Sequence, residues 1–192
     1  MTSSTYQRTD PGPALADLVS RYFASLDDRR TDLEWARRFF TEDATTVTPI
    51  GTVAGVAEIA AHTRTALGRF AATQHLSADL LLSSGTPTGT GDRPETREPA
   101  EPTEPAEPAE PGEVSLAWNA LMTHVHRAST LERRGPEAAP LFTVGGRCRA
   151  EARLTERGWR FTRLSITPLW HTGQPPVLPE ELERELPQIP GG

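Results

Sequence analysis

The chain has no lysine: all 20 of its basic residues are arginine. That excludes Schiff-base chemistry and a P-loop lysine. Cysteine is almost absent as well. The single Cys148 cannot close a disulfide within the chain or build a zinc site from several thiolates, and it reads as a small buried strand residue. No stretch approaches the ~20 consecutive apolar residues of a membrane span, and no apolar run follows a basic N-terminal region. A cytoplasmic protein without membrane contacts is expected. The sequence contains no G-x-S-x-G, no G-x-G-x-x-G and no H-E-x-x-H, so it offers no hydrolase elbow, dinucleotide loop or zincin helix.

Hydrophobic residues make up only 36% of the chain, while 18 of the 192 residues are proline. Both departures trace to 86–113, TPTGTGDRPETREPAEPTEPAEPAEPGE. From Glu98 this segment repeats Glu-Pro-x five times. A period of three matches polyproline II, and like charges extend such a chain further. The segment reads as an extended solvated insert between two strands. It holds eight acidic residues and two arginines, a net charge of −6, which equals the net charge of the whole chain. The remainder is therefore neutral, with 18 basic and 18 acidic residues, and has no basic surplus for nucleic acid. The arginine bias, with abundant Ala, Gly and Pro, suggests a GC-rich genome.

Residues 1–12 read as a loose N-terminal arm. Leu15, Leu18, Tyr22 and Leu26 then repeat at helical spacing and predict a helix over 13–27. Asp27 and Asp28 end it, at the pole of the helix dipole that disfavours a carboxylate. A second helix is predicted over 32–41, capped by Thr31 or Asp32. A short strand follows at 44–49, a turn at 51–55, a third helix at 56–70 and an extended run at 72–82. Beyond the insert the pattern alternates with period two. One strand is predicted over 113–127, with Trp118, Met122, His124 and His126 on one face. Others are predicted over 141–154 and 159–169. Helices first and antiparallel strands afterwards predict an α+β domain over 13–173, with the helices on one face of the sheet. Residues 174–192 read as a tail.

His124 and His126 leave the same face of their strand and could chelate a metal. The following glutamate of a cupin site is displaced to Glu132, beyond a turn, so the metal-free reading is preferred. In that reading a histidine is a general acid–base group, with an aspartate to orient it and a tyrosine to polarise an oxygen. Tyr22, Asp27 and His75 supply these types. Each alone is an ordinary core or half-buried residue. Together, ionisable groups on apolar faces are costly unless paired, which favours a site. Trp35, Phe39, Trp118 and Met122 are the expected pocket walls.

LVSRYFASLDD, WARRFFTEDATTV, TQHLSADLLL and GWRFTRLSITPLWHTG resemble the SnoaL-like family of the nuclear transport factor 2-like superfamily, over about 17–85 and 113–173. The resemblance implies a cone-shaped, curved antiparallel sheet wrapped over three N-terminal helices, with a pocket at the mouth. The family includes polyketide cyclases, scytalone dehydratase, bile acid dehydratase, ketosteroid isomerase, epoxide hydrolases and members without catalysis. Fold therefore does not dictate reaction.

The dehydratase branch is the most similar. Its first-helix tyrosine and aspartate match Tyr22 and Asp27, and its histidine after the third helix matches His75. Its mid-strand group falls at His124 or His126, with spacing favouring His126. A late arginine corresponds to Arg147, Arg149 or Arg163. The resemblance implies a cofactor-free lyase, isomerase or cyclase acting on a hydrophobic, carbonyl-containing, polyketide- or steroid-like substrate in bacterial secondary metabolism. It also implies a homodimer. The alternative is a non-catalytic ligand-binding or scaffold member of the same fold. The insert would change access to the site if it lay over the pocket mouth.

Overall fold

The computed structural model describes residues 10–84 and 113–176. The N-terminal residues 1–9, nearly all of the Glu-Pro insert and residues 177–192 lie outside the described residues.

The chain opens with helix α1 (Gly12–Asp28), whose apolar stripe Leu15, Leu18, Val19, Tyr22, Phe23 and Leu26 is buried. Fully burying such a side chain contributes roughly 1.5–3 kcal/mol. Helix α2 (Leu33–Phe39) is capped by Asp32, which accepts a hydrogen bond from the Trp35 backbone N–H. It is shorter than its apolar pattern suggests. Phe40 is already extended, and strand β1 (Phe40–Thr48) begins without a loop. The β-branched run Thr45-Thr46-Val47 favours the strand. Residues 51–54, expected as a turn, instead form strand β2 (Gly51–Ala54), paired antiparallel with β1.

Helix α3 (Val56–Gly68) leads into strand β3 (Phe70–Ser84). Strand β4 (Glu113–His126) follows the insert. A short helix α4 (Ala128–Arg134) was not anticipated. It buries no residue and so leaves no apolar stripe in the sequence. Strands β5 (Leu141–Thr155) and β6 (Gly158–Gly173) complete the sheet. The last strand runs beyond the expected Leu169, through residues whose side chains are largely exposed.

The six strands take the order β2-β1-β6-β5-β4-β3. Every pair is antiparallel except β1 with β6, which is parallel. Register shifts in β3, β5 and β6 bend the long strands, as bulges do. The sheet thereby curves over the helices. Trp35, Trp118 and Phe161 lie at the centre of the core, each almost wholly buried. Trp35 also donates its indole N–H to Ser25 Oγ at 2.8 Å, which ties α2 to α1. Replacing Trp35 with alanine would cost about 3–5 kcal/mol.

No helix among the described residues is long and apolar enough to cross a membrane.

Candidate active site

The last turn of α1 sets the site. Arg29, just past the helix end, takes a left-handed backbone with φ of 58°. Its guanidinium donates to the Ala71 carbonyl at 2.7 Å and the Leu67 carbonyl at 2.8 Å. This fastens the end of α1 to the end of α3 and the start of β3. Asp27 is thereby held against β3.

Thr73 and His75 are two apart on β3 and project from one face. Both bind Asp27. Its Oδ1 accepts from His75 Nδ1 at 2.6 Å and from Thr73 Oγ1 at 3.0 Å. Its Oδ2 accepts from the His75 backbone N–H at 2.9 Å. Three donors offset the cost of placing a carboxylate at the negative pole of α1. A carboxylate facing Nδ1 is an acceptor only, so in the neutral ring Nδ1 carries the proton and Nε2 the lone pair. The His75 side chain is 5% exposed, and Nε2 has no hydrogen-bond partner among the described residues.

His75 lies on the wall of a cavity of about 770 Å³, within the usual range for small-molecule sites. The wall is drawn from α1, the end of β1 and the turn after it, α3, α4, β3 to β6 and the chain just after β6. Tyr22 and His124 share it. The His75 and His124 rings stand edge to face, with centroids 5.5 Å apart. His124 places Nδ1 at 3.2 Å from the Phe142 carbonyl, which fixes its tautomer with Nε2 unprotonated. Burial, and then the proximity of His75, push its pKa down to about 4. His124 is therefore neutral near pH 7.

Burial, reinforced by Cys148, raises the Tyr22 pKa. The phenol keeps its proton and is a donor only waiting for an acceptor; no hydrogen bond of its hydroxyl occurs among the described residues. Cys148 is wholly buried, and burial pushes its thiol up to about 12. It is not a thiolate nucleophile at neutral pH.

The other expected site residues are placed differently. His126 is buried but is not on the cavity wall. Its ring packs on Phe70, and its Nε2 lies 2.8 Å from the Gln174 carbonyl. The β3–β4 register explains this: His124 is opposite Thr73, one pleat from His75, whereas His126 is opposite Phe70 at the end of the pair.

Of the expected pocket walls, Met122 lines the cavity, while Trp35, Phe39 and Trp118 pack into the core. Tyr22 has its ring among Phe23, Trp35, Phe39, Phe40 and Phe161. These aromatics support the site from behind. Arg147, Arg149 and Arg163 are all absent from the wall, and Arg147 is bonded to Asn119 instead.

The arginines on the wall are Arg69, at the end of α3, and Arg134, in α4. Neither belongs to a recognisable spacing. His62 and His171 also line the cavity. His62 meets Thr48 Oγ1 at 3.2 Å, and burial followed by Arg69 lowers its pKa. Gln174, Pro175 and Pro176, expected as tail, close one side. Arg134 bridges to Gln174 and Pro175 and anchors them there.

No group of three or more metal-ligating side chains is gathered among the described residues. The insert leaves from Ser84 and returns at Glu113, nine residues along β3 from His75. Those anchor points lie about 30 Å along the strand from the histidine.

Residues 13–93 match the SnoaL-like domain model. No curated protein matches the sequence. Several solved structures share the architecture. One is a protein from Novosphingobium aromaticivorans assigned as a scytalone dehydratase, 15% identical over 88% of this chain and 92% of its own, with a TM-score of 0.59. A type 2 hexachlorocyclohexane dehydrochlorinase, LinA, is 16% identical over 92% and 99%, with a TM-score of 0.61. A nuclear transport factor 2-like superfamily protein from Salmonella enterica serovar Typhimurium is 15% identical over 81% and 89%, with a TM-score of 0.57. Likeness at such identities carries the fold and not the reaction. The chain thus holds a SnoaL-like match over residues 13–93 within the fold of the nuclear transport factor 2-like superfamily.

Proposed function

We propose that the cavity is the active site of a lyase or isomerase that works on a hydrophobic carbonyl compound by acid–base catalysis from side chains alone. The observation that carries this is the Asp27–His75 pair: a 2.6 Å bond that leaves Nε2 as an unpartnered base on the wall of an apolar cavity. Asp27 holds the tautomer and stabilises the imidazolium that forms. Nε2 takes a proton from the carbon next to the carbonyl. The C–H electron pair becomes a C=C bond, and the carbonyl oxygen takes up the charge. Tyr22, kept protonated, donates to that oxygen.

The enolate then has two exits. Expulsion of a group from the neighbouring carbon, protonated by the His75 imidazolium, completes a dehydration-type elimination. Return of the proton to a different carbon completes an isomerisation. His124, neutral beside His75, offers Nε2 as a hydrogen-bond acceptor without adding a repelling charge. Two structural neighbours, one assigned as a scytalone dehydratase and the other a hexachlorocyclohexane dehydrochlorinase, bear the names of eliminations and support this reading. The apolar part of the wall supports a hydrophobic substrate, and the family resemblance suggests a polyketide- or steroid-like one from bacterial secondary metabolism.

The test is proton exchange in D2O on a panel of hydrophobic ketones, followed by NMR, which reads abstraction alone and needs no leaving group. Wild type should accelerate exchange next to the carbonyl. His75→Ala should lose on the order of 10²–10⁴-fold of that acceleration, and Tyr22→Phe should lose a smaller part. Full exchange in His75→Ala would contradict the proposal.

A further inference from the structure

Three arginines gather at the carboxyl end of α3, and two of them are used there. Arg29 takes the Leu67 carbonyl, and Arg127 donates to the Gly68 carbonyl at 2.9 Å. These contacts satisfy carbonyls that the helix leaves open. The third, Arg69, is turned to the cavity wall. Its side chain makes no hydrogen bond or ion pair among the described residues, and its Nη1 is wholly buried without a partner. A buried guanidinium donor with no acceptor is costly, so its retention on a ligand-sized cavity calls for a partner.

The rest of the wall supplies none. It includes no aspartate or glutamate. Asp27 lies behind His75 with both oxygens taken by three donors. Arg134, the other charged group on the wall, is engaged by Gln174 and Pro175. The cavity therefore carries net positive charge, and beside the unpartnered Tyr22 hydroxyl and His171 Nδ1 its one charged donor without a partner among the described residues is Arg69, while Leu26, Met122, Phe142, Val144 and Ile166 offer an apolar bed.

We propose that Arg69 anchors an anion subsite in this cavity, and that the natural ligand is a hydrophobic monocarboxylate whose carboxylate pairs with this guanidinium. The planar fork of arginine matches the two oxygens of a carboxylate. Such a contact would position the body of the ligand across the cavity from α3 towards His75. The inference rests on the cavity being the ligand site, as proposed above, but on no proton-transfer step.

Binding, not turnover, tests it. Titration calorimetry would compare 2-naphthoate, 2-acetylnaphthalene and 2-naphthylmethylammonium, and in parallel biphenyl-4-carboxylate with 4-acetylbiphenyl. On wild type the acids should bind on the order of tenfold or more tighter than the matching ketones, and the ammonium compound most weakly. Arg69→Gln should bring the acids to the level of the ketones, and the thermal melt of the ligand-free protein should not fall. His75→Ala should keep the preference for acids, which separates failure of this inference from failure of the catalytic reading. Ketones that bind wild type as tightly as acids would overturn the proposal, and so would acids of neither scaffold binding. So would a preference retained in Arg69→Gln, or one lost in His75→Ala instead. If Arg69→Gln does not fold, the wild-type comparison decides alone.

Discussion

Two adjacent rows of residues cross the same four strands and end in opposite surroundings. His75, Met122, Val144 and His171 are opposite one another on β3, β4, β5 and β6, and all four line the cavity. One residue along, Leu76, Leu121, Gly145 and Trp170 form the next row on the other face. Leu76 is 52% exposed and Trp170 45% exposed. The enclosed row holds two histidines, and the solvent-facing row holds leucine and tryptophan. This is the reverse of simple polarity sorting. An exposed leucine costs little, because much of any protein surface is apolar. A buried ionisable group must find partners or carry a function. The pleat alone separates the two, so a single-residue slip of register would exchange them.

The comparison breaks most severely at its strongest contact. Asp27→Ala would leave the Thr73 hydroxyl, the His75 backbone N–H and His75 Nδ1 without their common acceptor. We expect a loss of about 1–3 kcal/mol in denaturant stability together with loss of ketone exchange. Asp27→Asn should retain more stability but still lose on the order of tenfold or more in exchange, because an amide no longer fixes the tautomer.

A second effect is a stability change with pH. The His124 pKa is lowered in the folded protein to about 4 from an unfolded value of 6.5. Its contribution to stability is complete above the unfolded value. It declines as pH falls below 6.5, because the unfolded chain takes up a proton that the fold resists, and it is lost below about 4. His62 is shifted in the same direction. Denaturant midpoints measured across this window should fall more steeply for wild type than for His124→Gln.

The outer row should respond weakly in function. A Cβ added at Gly145 would stand 2.2 Å from Trp170 Cε2. Gly145→Ala must therefore displace the exposed indole, read as a change in tryptophan fluorescence, at a cost of about 1–3 kcal/mol. The smallest effect belongs to Leu121→Gln, which should leave exchange within about twofold of wild type, as expected for a surface substitution on the face of the sheet opposite the cavity. A large loss from Leu121→Gln would show that the two rows are not functionally distinct.

The helical stripe of α1 and the alternation of β4 and β5 were legible because period and burial agree over many residues. The α2–β1 junction was not, because Phe39 and Phe40 are apolar in either conformation and only the backbone of Phe40 marks the change. For the site, residue types and the family resemblance pointed to Tyr22, Asp27 and His75. The choice between His124 and His126 depended on the β3–β4 register, which is shifted near Phe70 by one residue. Arg69 carried no signal because the chain is rich in arginine and its distinction is the absence of a partner. Gln174 became part of the wall through His126 and through Arg134, the latter on a helix with no amphipathic pattern.

The most direct test of the central claim is the tautomer of the neutral His75 ring, read from the ¹⁵N shifts of its imidazole in wild-type protein. A neutral ring with the proton on Nδ1, shifted far downfield by Asp27, and a bare Nε2 would agree with a base held ready on the cavity wall. A proton on Nε2 with Nδ1 bare would contradict it, because the nitrogen facing the ligand would then have no lone pair to offer.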